Sequence, residues 1–359
     1  MQIDFLIVGQ GICGTFLSRE LQKAGYTFMV IDEARHHTAS KIASGMINPV
    51  TGRRIVKTWI IDELMPFAWN AYKETGDWLG IQCIQEMVIL DFFASPQMRL
   101  AFLDRYAEDQ EFLAMPENTS EWLTHLRYDF GYGVISPSYL VDLPLLLESF
   151  RKTLVEKQQL REAHFEQNHI EIKKNGIQYQ DITARKIIFC DGIKSFENRW
   201  FRNLPFALNK GEALIVEIRA LPVAQPGSSV QNILKKGINI VPWRDELFWV
   251  GSSNEWNYKD DQPTAAFRER TTAQLAAFCK LPFKVIDHLA AIRPATVERR
   301  PFVGLHPLHP EIGIFNGMGT KGCSLAPFFA RQLVDHLSTG TPLDPEVDVQ
   351  RFRKVISRE

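Results

Sequence analysis

The sequence predicts an α/β chain, α+β overall, in which a parallel-sheet core built from the two ends interleaves with a second unit on a mainly antiparallel sheet. Three observations carry this. The first 33 residues read strand–helix–strand, the middle gives strands without long helices between them, and the last 70 return to strands, a glycine loop and a helix.

Taken in order, Ile3 to Val8 is a nearly continuous apolar run, the pattern of a strand buried on both faces. Thr15–Ala24 is amphipathic at helical spacing and Gly25 supplies its stop. Thr27–Ile31 reads as the second strand, closed by Asp32 and Glu33. A turn-rich stretch over 36–54 precedes a helix at Trp59–Trp78. Met87–Leu90 is strand-like, whereas Gln97–Tyr106, Thr119–Leu126 and Leu140–Glu156 read as helices. Ile170–Lys173 and Ile177–Tyr179 form a hairpin across Asn175-Gly176. Lys186–Phe189 is a buried strand, Ala213–Ile218, Ile238–Val241 and Leu247–Val250 are strands of the middle sheet, and Phe267–Phe278 and Ser324–Leu337 are helices. The length, 359 residues, suits about two domains. We divide them into a discontinuous nucleotide-binding domain (1–50, 136–205 and 286–359) and a substrate domain (51–135 and 206–285).

Composition narrows the function classes. Hydrophobic residues are 45% and charged residues 23%, values of a globular chain rather than a disordered or collagen-like one. The 41 basic and 42 acidic residues give a net charge of −1, so no global field draws nucleic acid or anionic lipid. Five scattered cysteines without a CxxC pair predict neither a disulfide framework nor a metal site. With no leader-like N-terminus and no apolar run near membrane-spanning length, the expected location is the cytoplasm.

The chemistry begins at Gly9-Gln10-Gly11-Ile12-Cys13-Gly14, between the first strand and the first helix, with Asp32 ending the next strand. The first glycine allows the tight turn, the second lets the backbone approach a pyrophosphate, and the third packs the helix on the strand. The helix N-terminus adds amide donors, and the acid suits ribose hydroxyls. This predicts a Rossmann-like FAD- or NAD(P)-binding domain without separating the two. A second glycine loop, Gly317-Met318-Gly319-Thr320-Lys321-Gly322, opens the last helix after Arg293-Pro294, Glu298 and Gly304. Two such loops suit a cofactor with a large ring stretched between two helix N-termini.

Here the chain resembles the D-amino acid oxidase family of flavoproteins, in particular glycine oxidase and monomeric sarcosine oxidase. The resemblance rests on four segments spanning almost the whole chain: the first glycine motif with Asp32, Ser40-Lys41-Ile42-Ala43-Ser44-Gly45-Met46, the run from Lys186 to Ser195, and the run from Arg293 to Pro327. It implies FAD contacts from Gly9, Gly11, Ile12, Cys13, Gly14, Asp32, Glu33, Ser40, Lys41, Ala43, Ser44, Gly45, Met46, Phe165, Cys190, Asp191, Gly192, Arg293, Gly317, Gly319, Thr320, Lys321 and Gly322. Asp32 stands where the family more often has glutamate, and Cys190-Asp191-Gly192 with Lys194 departs from its usual smaller or aromatic surroundings. Sarcosine oxidases attach flavin to a cysteine near the position of Arg293; the nearest cysteine here, Cys323, lies in the following helix, which implies non-covalent FAD.

The resemblance further implies oxidation of the C–N bond of a small amino acid or N-substituted amino acid, by hydride transfer to flavin N5, with oxygen or another electron acceptor. A guanidinium at Arg293 would grip the substrate carboxylate. Arg54, Lys57, Lys321 and Trp243 are further substrate-binding candidates. Each has a competing placement: Arg53, Arg54 and Lys57 as a solvated face, Arg293 in a salt bridge with Glu298, Lys321 on the flavin, and Trp243 and Trp256 packing the sheet. Lys210-Gly211-Glu212 reads as structural. No acid–base residue is nominated, and no metal. Two rival functions remain at this point: an amine oxidase acting on a modified wobble uridine of tRNA, to which the 43–45 segment is also similar, and a flavin-binding scaffold without catalysis.

Overall fold

Strand β1 (Gln2–Val8) organises the molecule by burying both of its faces. In the computed structural model, which describes residues 1–222, 231–244 and 246–357, Phe5 and Ile7 pack into one core while Leu6 and Val8 pack into another. That alternation is the period-two geometry of a strand with helices or loops on each side. Helix α1 (Ile12–Lys23) follows, and strand β2 (Phe28–Asp32) returns parallel to β1.

The first sheet has eight strands among the described residues. Its order is Ile170–Lys173, Gly176–Tyr179, Ile182–Phe189, β1, β2 and Leu160–Glu162. Ile182–Phe189 pairs with Gly176–Tyr179 along its first half and with Ile312–Asn316, in parallel, along its second. Phe302–Leu305 closes that edge antiparallel to Ile312–Asn316. One face is covered by α1 and by the helices Ile61–Leu79, Leu143–Glu156 and Gly322–Thr339, through Phe16, Leu64, Tyr72, Leu146, Phe150 and Phe329. Trp200 and Phe201 cover the other, with Phe302 of the edge strand in the same core.

Among the described residues the second sheet has nine strands and is antiparallel except where Gln231–Lys235 runs alongside Ile84–Phe92. Its order is Phe283–Arg293, Asn209–Ile218, Leu247–Gly251, Asn239–Arg244, Gln231–Lys235, Ile84–Phe92, Tyr132–Val141 and Met46–Ile47. The short strand Leu113–Ala114 adds to Tyr132–Val141. Helix Ala265–Phe278 covers its outer face through Phe267, Leu275 and Phe278. On the inner side the Trp249 indole N–H donates to the Ile42 carbonyl at 2.9 Å, joining this sheet to the segment that follows β2.

Three local expectations change. Thr119–Leu126 is a run of turns, not a helix. Trp122 and Leu126 have helical spacing and are both buried, but Arg127 N–H donates to Phe278 O at 2.7 Å and Leu126 bridges to Cys279, which ends the turn at once. Leu140 and Val141 belong to a strand, because Leu140 pairs with both Gln85 and Met46. The helix starts only after Asp142, whose carboxylate caps Leu145 N–H at 2.9 Å ahead of Pro144, a start signal legible in the sequence. The hairpin turn is Lys174-Asn175, with Gly176 already paired to Lys173. The divisions placed at 136 and 286 fall inside two continuous strands of the second sheet, Tyr132–Val141 and Phe283–Arg293.

Candidate active site

A cleft of about 660 Å³ runs from the C-terminal ends of β1 and β2 to the inner side of the second sheet. At its first end the turn after β1 is held in a form that only glycine fits. Gly9 has φ +97°, and a methyl group on it would lie 2.6 Å from the Cys190 carbonyl oxygen. A methyl group on Gly14 would lie 1.9 Å from the Gly9 carbonyl oxygen, so the helix sits directly on the turn. Gly11 caps α1 with no side-chain bond, and the first turn carries no acid. Ser40 Oγ accepts the Ile12 N–H at 3.1 Å.

The N-terminus of Gly322–Thr339 faces the same cleft, again with no acid in its first turn. The two helices pack together: a methyl group on Gly322 would be in ordinary contact, 3.4 Å, with Ile12 Cγ2. Two positive helix ends, side by side and free of acids, suit an acceptor-rich ligand with a pyrophosphate.

Asp32 is held by three donors. Gln10 N–H reaches Oδ2 at 2.9 Å, while Ala34 N–H at 2.9 Å and Arg151 Nη1 at 2.8 Å reach Oδ1. Arg151 also binds Glu162 at 2.7 Å. Glu33 pairs with His164 Nδ1 at 2.7 Å and with Arg35. The Asp191 carboxyl is pushed up to about 7 by burial, against a hydrogen bond from Ser195. Asn316 Nδ2 ties that corner together, donating to Ser195 Oγ at 2.8 Å and to Gly192 O at 2.7 Å.

At the far end lies Arg293. Its Nη1 donates to Asn209 Oδ1 at 2.9 Å, Ser253 O at 3.0 Å and Asn254 Oδ1 at 3.1 Å. All three acceptors are neutral, and the guanidinium has no carboxylate partner among the described residues. Glu298 pairs with Arg351 instead, at 3.3 Å, so the salt bridge entertained from sequence does not form. Burial draws Arg293 down to about 10, which still leaves it a cation at neutral pH.

The other expected residues divide cleanly. Gly9, Gly11, Ile12, Cys13, Asp32, Glu33, Ser40, Lys41, Ala43, Ser44, Met46, Phe165, Cys190, Asp191, Gly192, Arg293, Gly319, Thr320 and Gly322 line the cleft. Gly14, Gly45 and Gly317 lie behind its wall, packed on Gly9, Val141 and Thr296 respectively. Lys321 reaches away from the cleft and donates to Thr58 Oγ1 at 3.2 Å. Burial, with Lys235 nearby, pulls it down to about 8. Lys57 sits in an acidic cluster with Glu111, Asp109 at 3.4 Å and Asp62 at 3.6 Å, and Arg53 and Arg54 are exposed. Trp243 lines a separate cavity of about 370 Å³ with Asp142 and Arg244, and Trp256 is exposed.

Sequence reasoning misses the residues that orient the site from a distance. Arg151 steadies Asp32 from 119 positions away, and Asn209, Ser253 and Asn254 meet Arg293 from segments at least 39 positions away. Sheet pairing brings only Asn209 to Arg293, Ser253 and Asn254 lying in the loop after Leu247–Gly251, and no local pattern announces such contacts. Among the described residues, no group of three or more His, Cys, Asp or Glu side chains is placed to hold a metal ion, and no helix is long and apolar enough to cross a membrane.

The family profile described as DAO, FAD dependent oxidoreductase, matches residues 4–336. The chain belongs to this family. FAD is the family's cofactor, and the paired helix ends, glycine turn and Asp32 fit it. Glycine oxidase from Pseudomonas aeruginosa is 31% identical over 118 residues; the match spans about a third of that protein, 32% of each chain. Iminodiacetate oxidase from Chelativorans sp. BNC1 superposes with a TM-score of 0.76 at 17% identity, covering 96% of this chain and 98% of that one. Glycine oxidase from Geobacillus kaustophilus gives 0.76 at 17% identity over 100% and 99%. At such identities the structures share the family's fold.

Proposed function

We propose that this protein oxidises the carbon–nitrogen bond of a small amino acid or N-substituted amino acid, using FAD held without a covalent bond. The observation that carries this reading is Arg293: a half-buried cation on the cleft wall whose partners among the described residues are all neutral. A desolvated guanidinium without a counter-charge favours an anion, and its planar fork matches a carboxylate.

The glycine turn, Asp32 and the two helix ends would hold the cofactor. When bound, FAD supplies the two-electron acceptor. The chain's own part is positioning. Arg293 would fix the carboxylate so that the neighbouring amine-bearing carbon is presented in one orientation, and Trp249 with Met318 would help exclude water from it. The carbon gives up a hydride, the nitrogen a proton, and water then splits the imine into an oxo acid and an amine or ammonia. The names of the similar proteins, glycine oxidase and iminodiacetate oxidase, support the same substrate class.

Incubating the FAD-loaded protein with glycine, sarcosine, iminodiacetate and a set of D-amino acids tests this. We expect at least one to yield oxo acid and amine in equal amounts. If none does, the substrate class is wrong.

A further inference from the structure

We infer that Gly211 is a positioning residue for Arg293, its missing side chain being the seat of the guanidinium. This inference rests on the reading of Arg293 as the carboxylate anchor.

Asn209–Ile218 and Phe283–Arg293 are antiparallel neighbours, with Asn209 opposite Arg293 and Gly211 opposite Ala291. Arg293 and Gly211 are therefore a diagonal pair on one face of the sheet, close enough for a long side chain to cross from one to the other. The Arg293 side chain takes that path. A methyl group on Gly211 would stand 1.9 Å from Nη2, 2.1 Å from Cζ and 2.6 Å from Nη1. No side chain other than hydrogen coexists with the guanidinium where it now lies.

The backbone gives glycine no other purpose here. Gly211 sits within a regular strand, outside the positive-φ positions. Glycine weakens a strand interior, and alanine would suit that backbone better. With Gly211 beneath it and Asn209, Ser253 and Asn254 holding Nη1, the guanidinium is fixed on a face and on one corner. Among the described residues, the rest of the fork has no hydrogen-bond partner and can meet a ligand. Alanine at 211 would swing the group off this seat and break the three Nη1 bonds without touching the glycine turn or Asp32.

The test titrates FAD-loaded protein with acetate and benzoate, following the visible flavin spectrum, in wild type, Gly211→Ala, Arg293→Ala and the double variant. We expect Gly211→Ala to keep its FAD and its melting temperature, to bind the probes at least tenfold more weakly, and to add less than twofold to the loss in Arg293→Ala. Should Gly211→Ala fail to fold alone, folding of the double variant would equally locate the clash at Arg293; failure of both would overturn the inference. Wild-type affinity in Gly211→Ala overturns it and leaves the Arg293 reading intact, as does a loss that persists undiminished without Arg293. If wild type binds neither probe, or Arg293→Ala binds as wild type does, the Arg293 reading fails and the inference falls with it.

Discussion

The Asp32 carboxylate accepts the backbone N–H of Gln10 at 2.9 Å, so the end of β2 is hydrogen-bonded to the middle of the glycine turn. Asp32 thus has two tasks, shaping the turn and presenting oxygens beside the cleft. Asp32→Ala removes both and leaves Arg151 without one of its two carboxylate partners. We expect FAD to bind at least tenfold more weakly, about 1.4 kcal/mol or more. Flavin fluorescence released on dilution measures this. Unchanged retention would remove Asp32 from the cofactor site.

The contact between Gly14 and Gly9 makes a separate prediction. Gly14→Ala forces α1 away from a carbonyl oxygen that cannot move, because the turn is also packed on Cys190. Overpacking of this kind costs about 1–3 kcal/mol. The urea midpoint should fall accordingly, with loss of FAD affinity. A midpoint equal to wild type would contradict the close packing.

Lys321 predicts a dependence on pH. Its folded-state value is about 8, below the roughly 10.4 of a free lysine. Below about pH 8 both states bind the proton, and the folded state carries the full cost of a desolvated ammonium. Between about pH 8 and 10.4 the folded state loses its proton first, so stability rises with pH. Lys321→Met should therefore be more stable than wild type at pH 7, and the gap should narrow as pH passes 8. Paired denaturation curves across this range measure it; a gap independent of pH would contradict a desolvated ammonium.

Three cysteines line the cleft, and burial makes each a poor nucleophile. Cys13 and Cys323 are pushed up to about 12, and Cys190 well above the ordinary range. At neutral pH these thiols stay protonated, which disfavours attack on a flavin ring. Acid precipitation should leave yellow flavin in the supernatant. Flavin remaining with the polypeptide would contradict non-covalent binding.

The parallel core is legible in the sequence because its signals are local: an apolar run, a glycine turn, a helical stripe and an acid at the end of the second strand. The two glycine loops are legible for the same reason. What escapes is set by contacts between distant segments. Thr119–Leu126 has a helix's spacing but is stopped by Phe278 and Cys279, and Lys57 sits in an acidic cluster that includes Asp109 and Glu111, more than fifty residues on. Gly211 reads as a structural glycine until sheet pairing brings Arg293 across it.

On the proposed function, Arg293 anchors the carboxylate of an amine substrate. The most direct test of this is anaerobic mixing of wild type and Arg293→Ala with each amine of the panel, following loss of the oxidised flavin spectrum. We predict that at least one amino acid bleaches the wild-type flavin, and that Arg293→Ala needs at least about tenfold more of it, equivalent to about 1.4 kcal/mol or more. Flavin that stays oxidised with every amine, or bleaching that is equally sensitive to substrate in both proteins, would contradict the account.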